Sequence, residues 1–247
     1  MALGDFTPQV AAYAARPGYP EALLDRLLVA AGVAAGDRVA DVGAGTGIFT
    51  AQLAARGLAI DAVEPNPSMS AQAPALPGVT WHAGSFEATA LPAGSVRWVT
   101  AAQAFHWADP PRALPELHRI LAPGGHLTVL WNDRRDDASP LLAATRAVIR
   151  ARAPGFDELY RARDWATELT AGAWFGDVVA DEEPHEVVMS RERYRTLWRS
   201  HNRLAEAADA DLPAVLAGID ALVDGLDRDD IAIPYTTRAW TARALAR

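Results

Sequence analysis

With 247 residues, half of them hydrophobic, the chain has material for one large core, and its length suits a single α/β domain with an inserted cap better than two full domains. A formal charge of −8 without any basic block argues against nucleic acid and anionic membrane surfaces as partners. The absence of cysteine and lysine removes thiol nucleophiles, disulfides, thiolate zinc sites and Schiff-base chemistry.

In chain order, "MALGDFTPQV" lacks the basic and apolar blocks of a signal peptide, and no later stretch approaches a membrane span, so a cytoplasmic protein is expected. "YPEALLDRLLVAAG" (19–32) places Leu23, Leu24, Leu27 and Leu28 at helical spacing, with Pro20 suited to the first turn and Gly32 to the stop. "DRVADVGAG" predicts a short strand ending in a glycine turn, and "TGIFTAQLAARG" resumes helical spacing up to Gly57. "LAIDAVEP", "VTWHAG" and "VRWVTAAQ" predict three further strands. "PPRALPELHRILAPGG" predicts a helix running into a fifth strand, "HLTVLWN". Strand and helix thus alternate to about residue 133, which implies a mostly parallel sheet covered by helices on both faces. Beyond Asn132 the pattern predicts helices over roughly 138–172, broken at Pro154 and Gly155, and again over 191–225. "DVVADEEPHEVVMS" and "IAIPYTTRAWTAR" predict two late strands able to form a hairpin pair in space. Residues 1–133 form the expected cofactor-binding core with an N-terminal lid segment. Residues 134–247 form the expected helical cap and the strands completing a seven-stranded sheet and a substrate pocket.

The turn "DVGAGTGIFT" (41–50) decides between ligands. A dinucleotide-binding turn needs G-x-G-x-x-G, whose third small residue lets the helix pack close to its strand. Here Gly43, Gly45 and Gly47 are spaced G-x-G-x-G, and Ile48 occupies the third glycine's place. Asp41, two residues before Gly43, would crowd a pyrophosphate with negative charge and could attract a cationic amino group through water.

This segment resembles motif I of the class I S-adenosylmethionine-dependent methyltransferases, and three further motifs follow in the family's order: Glu64 closing the second strand, "GSFEATALP" after the third, and "LAPGGHLTVLWN" entering the fifth. "ARPGYP", "AVEPNPSM", "AQAFHW" and "LTVLWN" resemble a subgroup related to trans-aconitate methyltransferases, whose members often methylate small oxygen nucleophiles. The resemblance implies a Rossmann-like methyltransferase fold, S-adenosylmethionine as cofactor and a small-molecule substrate, in a monomer or homodimer.

Carried over residue by residue, it implies that Gly43, Ala44, Gly45, Thr46 and Gly47 approach the methionyl part, that Asp41 orients the amino group, and that Glu64, followed by Pro65, accepts the ribose hydroxyls. Met69 packs on adenine or simply in the core. Ser85, where many members carry Asp, and Phe86 stand at the adenine-contact position. Tyr13, Arg16 and Tyr19 belong to a segment folding over the cofactor, with Arg16 able to pair with its carboxylate. Gln103 and Ala104 lie near the sulfonium, in the place where open α/β sheets bind ligands. His106 is either a general base or a structural histidine beside Trp107. Trp107, in "QAFHWAD", together with Asn132 and Arg134 in "WNDRR" and Arg199 and Asn202 in "WRSHNR", are candidates for holding the substrate, against the ordinary reading of arginine runs as solvated surface. No metal is expected, because Gln103 stands where a metal site would need a carboxylate.

Methyl transfer needs an oxygen nucleophile held in line with the S–CH3 bond and shielded from water. A carboxylate is already ionised at neutral pH, whereas a phenol or alcohol would give His106 a proton to remove. Three rival readings are an intramolecular displacement or cyclisation releasing methylthioadenosine, a nicotinamide-dependent oxidoreductase, and a non-catalytic binding module. Ile48 and Asp41 disfavour the oxidoreductase, and the intact cofactor motifs disfavour the binding module.

Overall fold

The computed structural model describes residues 9–156 and 159–246. Its strands are β1 (Arg38–Val42), β2 (Ala59–Val63), β3 (Val79–His82), β4 (Val96–Ala102), β5 (Leu121–Arg134), β6 (Phe175–Ser190) and β7 (Asp230–Ala244). Its helices are α1 (Val10–Tyr13), α2 (Glu21–Ala31), α3 (Ile48–Ala54), α4 (Pro67–Ser70), α5 (Pro110–Ile120), α6 (Pro140–Arg152), α7 (Trp165–Thr170), α8 (Arg191–Arg199), α9 (Asn202–Ala208) and α10 (Leu212–Asp224). The strands form one sheet in the order β3-β2-β1-β4-β5-β7-β6. The β1–β2, β1–β4, β2–β3 and β4–β5 pairings are parallel.

The expected parallel character therefore needs correction at one edge. The sheet is mixed, with β6 and β7 antiparallel. Their pairing agrees with the expectation that the two late strands meet. β7 lies between β5 and β6, so chain order and spatial order differ at this edge. Edge strand β6 carries Asp177, Asp181, Glu182, Glu183 and Glu186 together with Pro184, a composition that discourages further strand pairing.

The start of β5 also differs from expectation. Strand character begins at Leu121, where the helix was expected to run on through "LAPGG". Pro123 biases Ala122 away from helix, Gly124 adopts φ +74°, and the register with β4 jumps between Val96↔Leu121 and Trp98↔His126. The sheet interior satisfies its polar groups across strands: the Trp98 indole donates to Thr128 Oγ1 at 2.8 Å, and Thr128 is 2.8 Å from Thr241 Oγ1.

The chain divides into two compact units. One holds Gly18–Asn132, Arg163–Glu183 and the described residues of Thr237–Arg247; its core includes Leu23, Leu24, Leu27, Val39, Leu53, Ile60 and Trp98. The other holds the described residues of Met1–Pro17, Asp133–Ala162 and Pro184–Thr236, with Leu142, Ile149, Tyr194, Trp198, Ile219 and Tyr235 in its core.

Candidate active site

At the end of β1 the chain turns through Gly43, Gly45 and Gly47, which take φ values of +74°, +59° and +81°. These left-handed conformations are cheap only for glycine. The turn is stitched to β2 by the Gly43 and Ala44 N–H groups, which donate to the Val63 carbonyl at 2.8 and 3.1 Å. A Cβ on Gly43 would stand 2.6 Å from the Ala104 Cβ and 3.0 Å from Phe86 Cζ, so the backbone passes where no side chain fits. Gly47 caps α3, and Thr46 beside it is buried. Gln103, at the end of β4, has φ +57°. Its N–H donates to the Leu130 carbonyl at 2.8 Å and its amide to the Asn132 carbonyl at 3.1 Å. An uncommon backbone conformation in a non-glycine residue at this sheet end is the kind of strain found at functional sites.

The two carboxylates of the turn have different roles. Asp41 is buried beneath it, accepting from Thr50 Oγ1 at 2.6 Å and Thr100 Oγ1 at 2.9 Å. Burial pushes its pKa up to about 6, with the Glu64 charge adding to the rise and the two threonines opposing it. Asp41 thus braces β1 against β4 and α3. Glu64 lies at the surface of the turn. Its Oε2 accepts the Gly45 N–H and its Oε1 the Asn66 N–H, both at 2.9 Å. Each oxygen retains a second lone pair for another donor. Burial raises the Glu64 pKa, and the two backbone N–H groups counteract it. Thr50 and Thr100 were not singled out in the sequence. Their only local signal is a hydroxyl among apolar neighbours on a helix and a strand facing one turn.

The family model for a methyltransferase domain matches residues 40–129. An uncharacterized methyltransferase of Mycobacterium tuberculosis is 36% identical over 223 residues, covering 83% of this chain and 90% of that protein. An uncharacterized methyltransferase-like protein of Schizosaccharomyces pombe is 31% identical over 250 residues, covering 97% and 95%. The chain belongs to the class I S-adenosylmethionine-dependent methyltransferases. Solved methyltransferases share the fold. One is a Haemonchus contortus phosphoethanolamine N-methyltransferase in complex with S-adenosylhomocysteine (TM-score 0.57, 16% identity, covering 100% of this chain and 61% of that one). An Anaeromyxobacter dehalogenans structure that carries the name type II methyltransferase has a TM-score of 0.68 at 24% identity, covering 94% and 99%.

S-adenosylmethionine is the cofactor of this methyltransferase, and the turn suits it: three positive-φ glycines, of which Gly43 admits no Cβ, beside a carboxylate with lone pairs to spare. Around this turn, Phe86 and Met69 are buried, Pro65 is exposed, and Ser85 Oγ accepts the Glu87 N–H at 3.2 Å. Tyr19 is buried edge-on against Phe49, with centroids 5.0 Å apart, and exchanges two backbone hydrogen bonds with the Gln52 amide. Asn132 donates to the Gly18 carbonyl at 2.9 Å and accepts from Thr237. It therefore ties the chain before α2 to β5.

In the methyltransferase's loop after β4, His106 and Trp107 are half-buried, with ring centroids 5.0 Å apart. Trp131 donates its indole N–H to His106 Nδ1 at 3.2 Å and stacks on Trp165 at 4.1 Å. An indole only donates, so Nδ1 is the acceptor and the ring proton of neutral His106 sits on Nε2.

Other expected site residues fall in the second unit. The Arg16 guanidinium lies 4.1 Å over the Tyr13 ring and donates to Ser200 Oγ at 3.2 Å and the Ser200 carbonyl at 3.0 Å. Arg134 is buried, 4.5 Å over the Trp198 ring, with Nη1 3.2 Å from His201 Nε2. Arg199 is exposed and pairs with Asp220 at 2.7 Å, while Asn202 donates to Glu206 at 2.6 Å. The structure thus brings Arg134 and His201 together and turns Arg199 and Asn202 toward acids of their own unit. Among the described residues no three His, Asp or Glu side chains cluster to hold a metal, and no helix is long and apolar enough to cross a membrane.

Proposed function

We propose that this methyltransferase transfers the methyl group to an oxygen of a small-molecule carboxylate. What supports this reading is the His106 ring. Its Nδ1 lone pair already receives the Trp131 N–H, so the ring offers a donor at Nε2 where an alcohol or phenol would need a proton acceptor. A carboxylate arrives ionised and needs no base. The chain's task is then to orient the oxygen and exclude water, with His106 Nε2–H as donor and Trp107 as an apolar wall.

On the cofactor side, S-adenosylmethionine supplies an already activated methyl on its sulfonium. Residues 43–47 take the methionyl portion against bare backbone, Glu64 accepts the ribose hydroxyls through its remaining lone pairs, and Met69, Ser85 and Phe86 border adenine. A screen of acids, phenols, amines and thiols with methyl-labelled cofactor tests the reading. Label in the acid pool supports it, and label confined to amines or thiols overturns it.

A further inference from the structure

Trp165 meets the surroundings of His106 from two directions. It opens α7, where Asp164 caps the helix by accepting the Thr167 N–H at 3.1 Å and the Thr167 hydroxyl at 2.7 Å, so the indole leaves the first turn from a fixed backbone. The residue is buried. Trp131 lies flat on one face of its ring, with centroids 4.1 Å apart and planes 16° from parallel. That leaves the other face to the Arg163 guanidinium, 4.2 Å from the centroid. Arg163 is in turn gripped by both carboxylate oxygens of Glu168, with Nε donating at 2.6 Å. The Trp165 indole is therefore sandwiched, and its plane is set.

Two anchors of His106 rest on this indole. Trp131 supplies the N–H that reaches His106 Nδ1 at 3.2 Å. Phe105, the residue before His106, packs edge-on against Trp165 with centroids 6.1 Å apart. Its ring also meets Phe86 at 5.5 Å, and Phe86 borders the Gly43 turn. Phe105, Trp131 and Trp165 are buried, His106 is half-buried, and all of them lie in the unit that holds the glycine turn. An N–H hydrogen bond weakens steeply as its angle closes, so the plane of Trp131 decides whether the contact to His106 is made.

We propose that Trp165 is a positioning residue for methyl transfer: by stacking on Trp131 and abutting Phe105 it fixes both the Nδ1 contact and the backbone of His106, and so aims the Nε2–H at the acceptor oxygen. The proposal rests on His106 donating to the acceptor, as argued above, and it adds the residue that orients the donor. The role requires a flat aromatic ring, because an aliphatic side chain fills space without defining a plane.

The test reads the imidazole in the full chain with no acceptor present, so its outcome is separate from the identity of the methylated atom. Nitrogen chemical shifts of His106 are recorded in the wild type, Trp165→Phe and Trp165→Leu at about pH 8, where an ordinary imidazole is neutral. Calorimetry with S-adenosylmethionine runs beside them. We expect the Nε2–H tautomer in the wild type, a minor admixture of Nδ1–H in Trp165→Phe, which keeps a smaller ring for Trp131 to stack on, and a larger admixture in Trp165→Leu. Cofactor affinity should stay close to wild type in both. Trp165→Phe covers the case in which Trp165→Leu fails to fold, since its tautomer mixture must by itself differ from the wild type. An unchanged tautomer in variants that still bind cofactor overturns the proposal and leaves Trp165 as core packing. So does an equal mixture in the two variants, which would make bulk rather than the ring face decide. A mixture accompanied by lost cofactor binding in both variants also overturns it, because collapse of the unit would then account for the change.

Discussion

Trp131 presents its indole N–H to His106 Nδ1 across 3.2 Å, which commits the imidazole to donating through Nε2. The expected consequence is spectroscopic. Nitrogen chemical shifts of His106 should report the Nε2–H tautomer in the wild type and a tautomer mixture in Trp131→Phe. An Nδ1–H tautomer in the wild type would contradict the geometry.

The same relationship sets the response to substitution. If His106 holds the acceptor by donation, His106→Gln, which keeps an N–H donor, should retain kcat/KM within a few fold, and His106→Ala should lose about ten- to a hundredfold. A general base would instead cost both variants about 10²–10⁴. Single-turnover rates beside thermal melts separate the two patterns.

Glu64 joins the turn to the cofactor. Replacing it by Ala removes the acceptor of the Gly45 and Asn66 N–H groups and of the ribose hydroxyls. S-adenosylmethionine affinity should fall about ten- to a hundredfold, roughly 1.5–3 kcal/mol. Calorimetry on a folded variant measures this, and unchanged affinity would remove Glu64 from the site.

Asp41 makes stability depend on pH in a known direction. Its folded pKa of about 6 lies above the ordinary 3.8, so the native state binds this proton more tightly than the unfolded chain. The penalty is fully present above about pH 6 and is relieved as pH falls from there toward 4, by an amount on the order of 3 kcal/mol. Asp41→Asn should abolish this component. Urea unfolding of wild type and variant at pH 5 and 7.5 isolates it as a double difference, and parallel pH profiles would refute it.

Gly43→Ala tests the close backbone approach. The added Cβ would meet the Ala104 Cβ at 2.6 Å from a φ of +74°. Overpacking of this kind costs about 1–3 kcal/mol. Lower stability together with weaker cofactor binding is expected, read by chemical denaturation and calorimetry.

Periodicity and turn chemistry made the first half of the fold legible. The G-x-G-x-G turn, Glu64 at the end of β2 and the pairing of the two late strands follow from local pattern. What was not legible depends on contacts distant in sequence. Asp41 finds Thr100 59 residues away, and Arg16 finds Ser200 184 residues away. Nothing near Arg16 announces that its guanidinium meets a helix end in the second unit.

The most direct test of the account follows a deuterated methyl group from S-adenosylmethionine by mass spectrometry through a reaction with a pool of small acids, followed by mild alkaline hydrolysis. The account predicts S-adenosylhomocysteine formed in equal amount to a labelled product whose label is released by base, as an ester requires. A base-stable label, or methylthioadenosine released with no labelled acceptor, would contradict it.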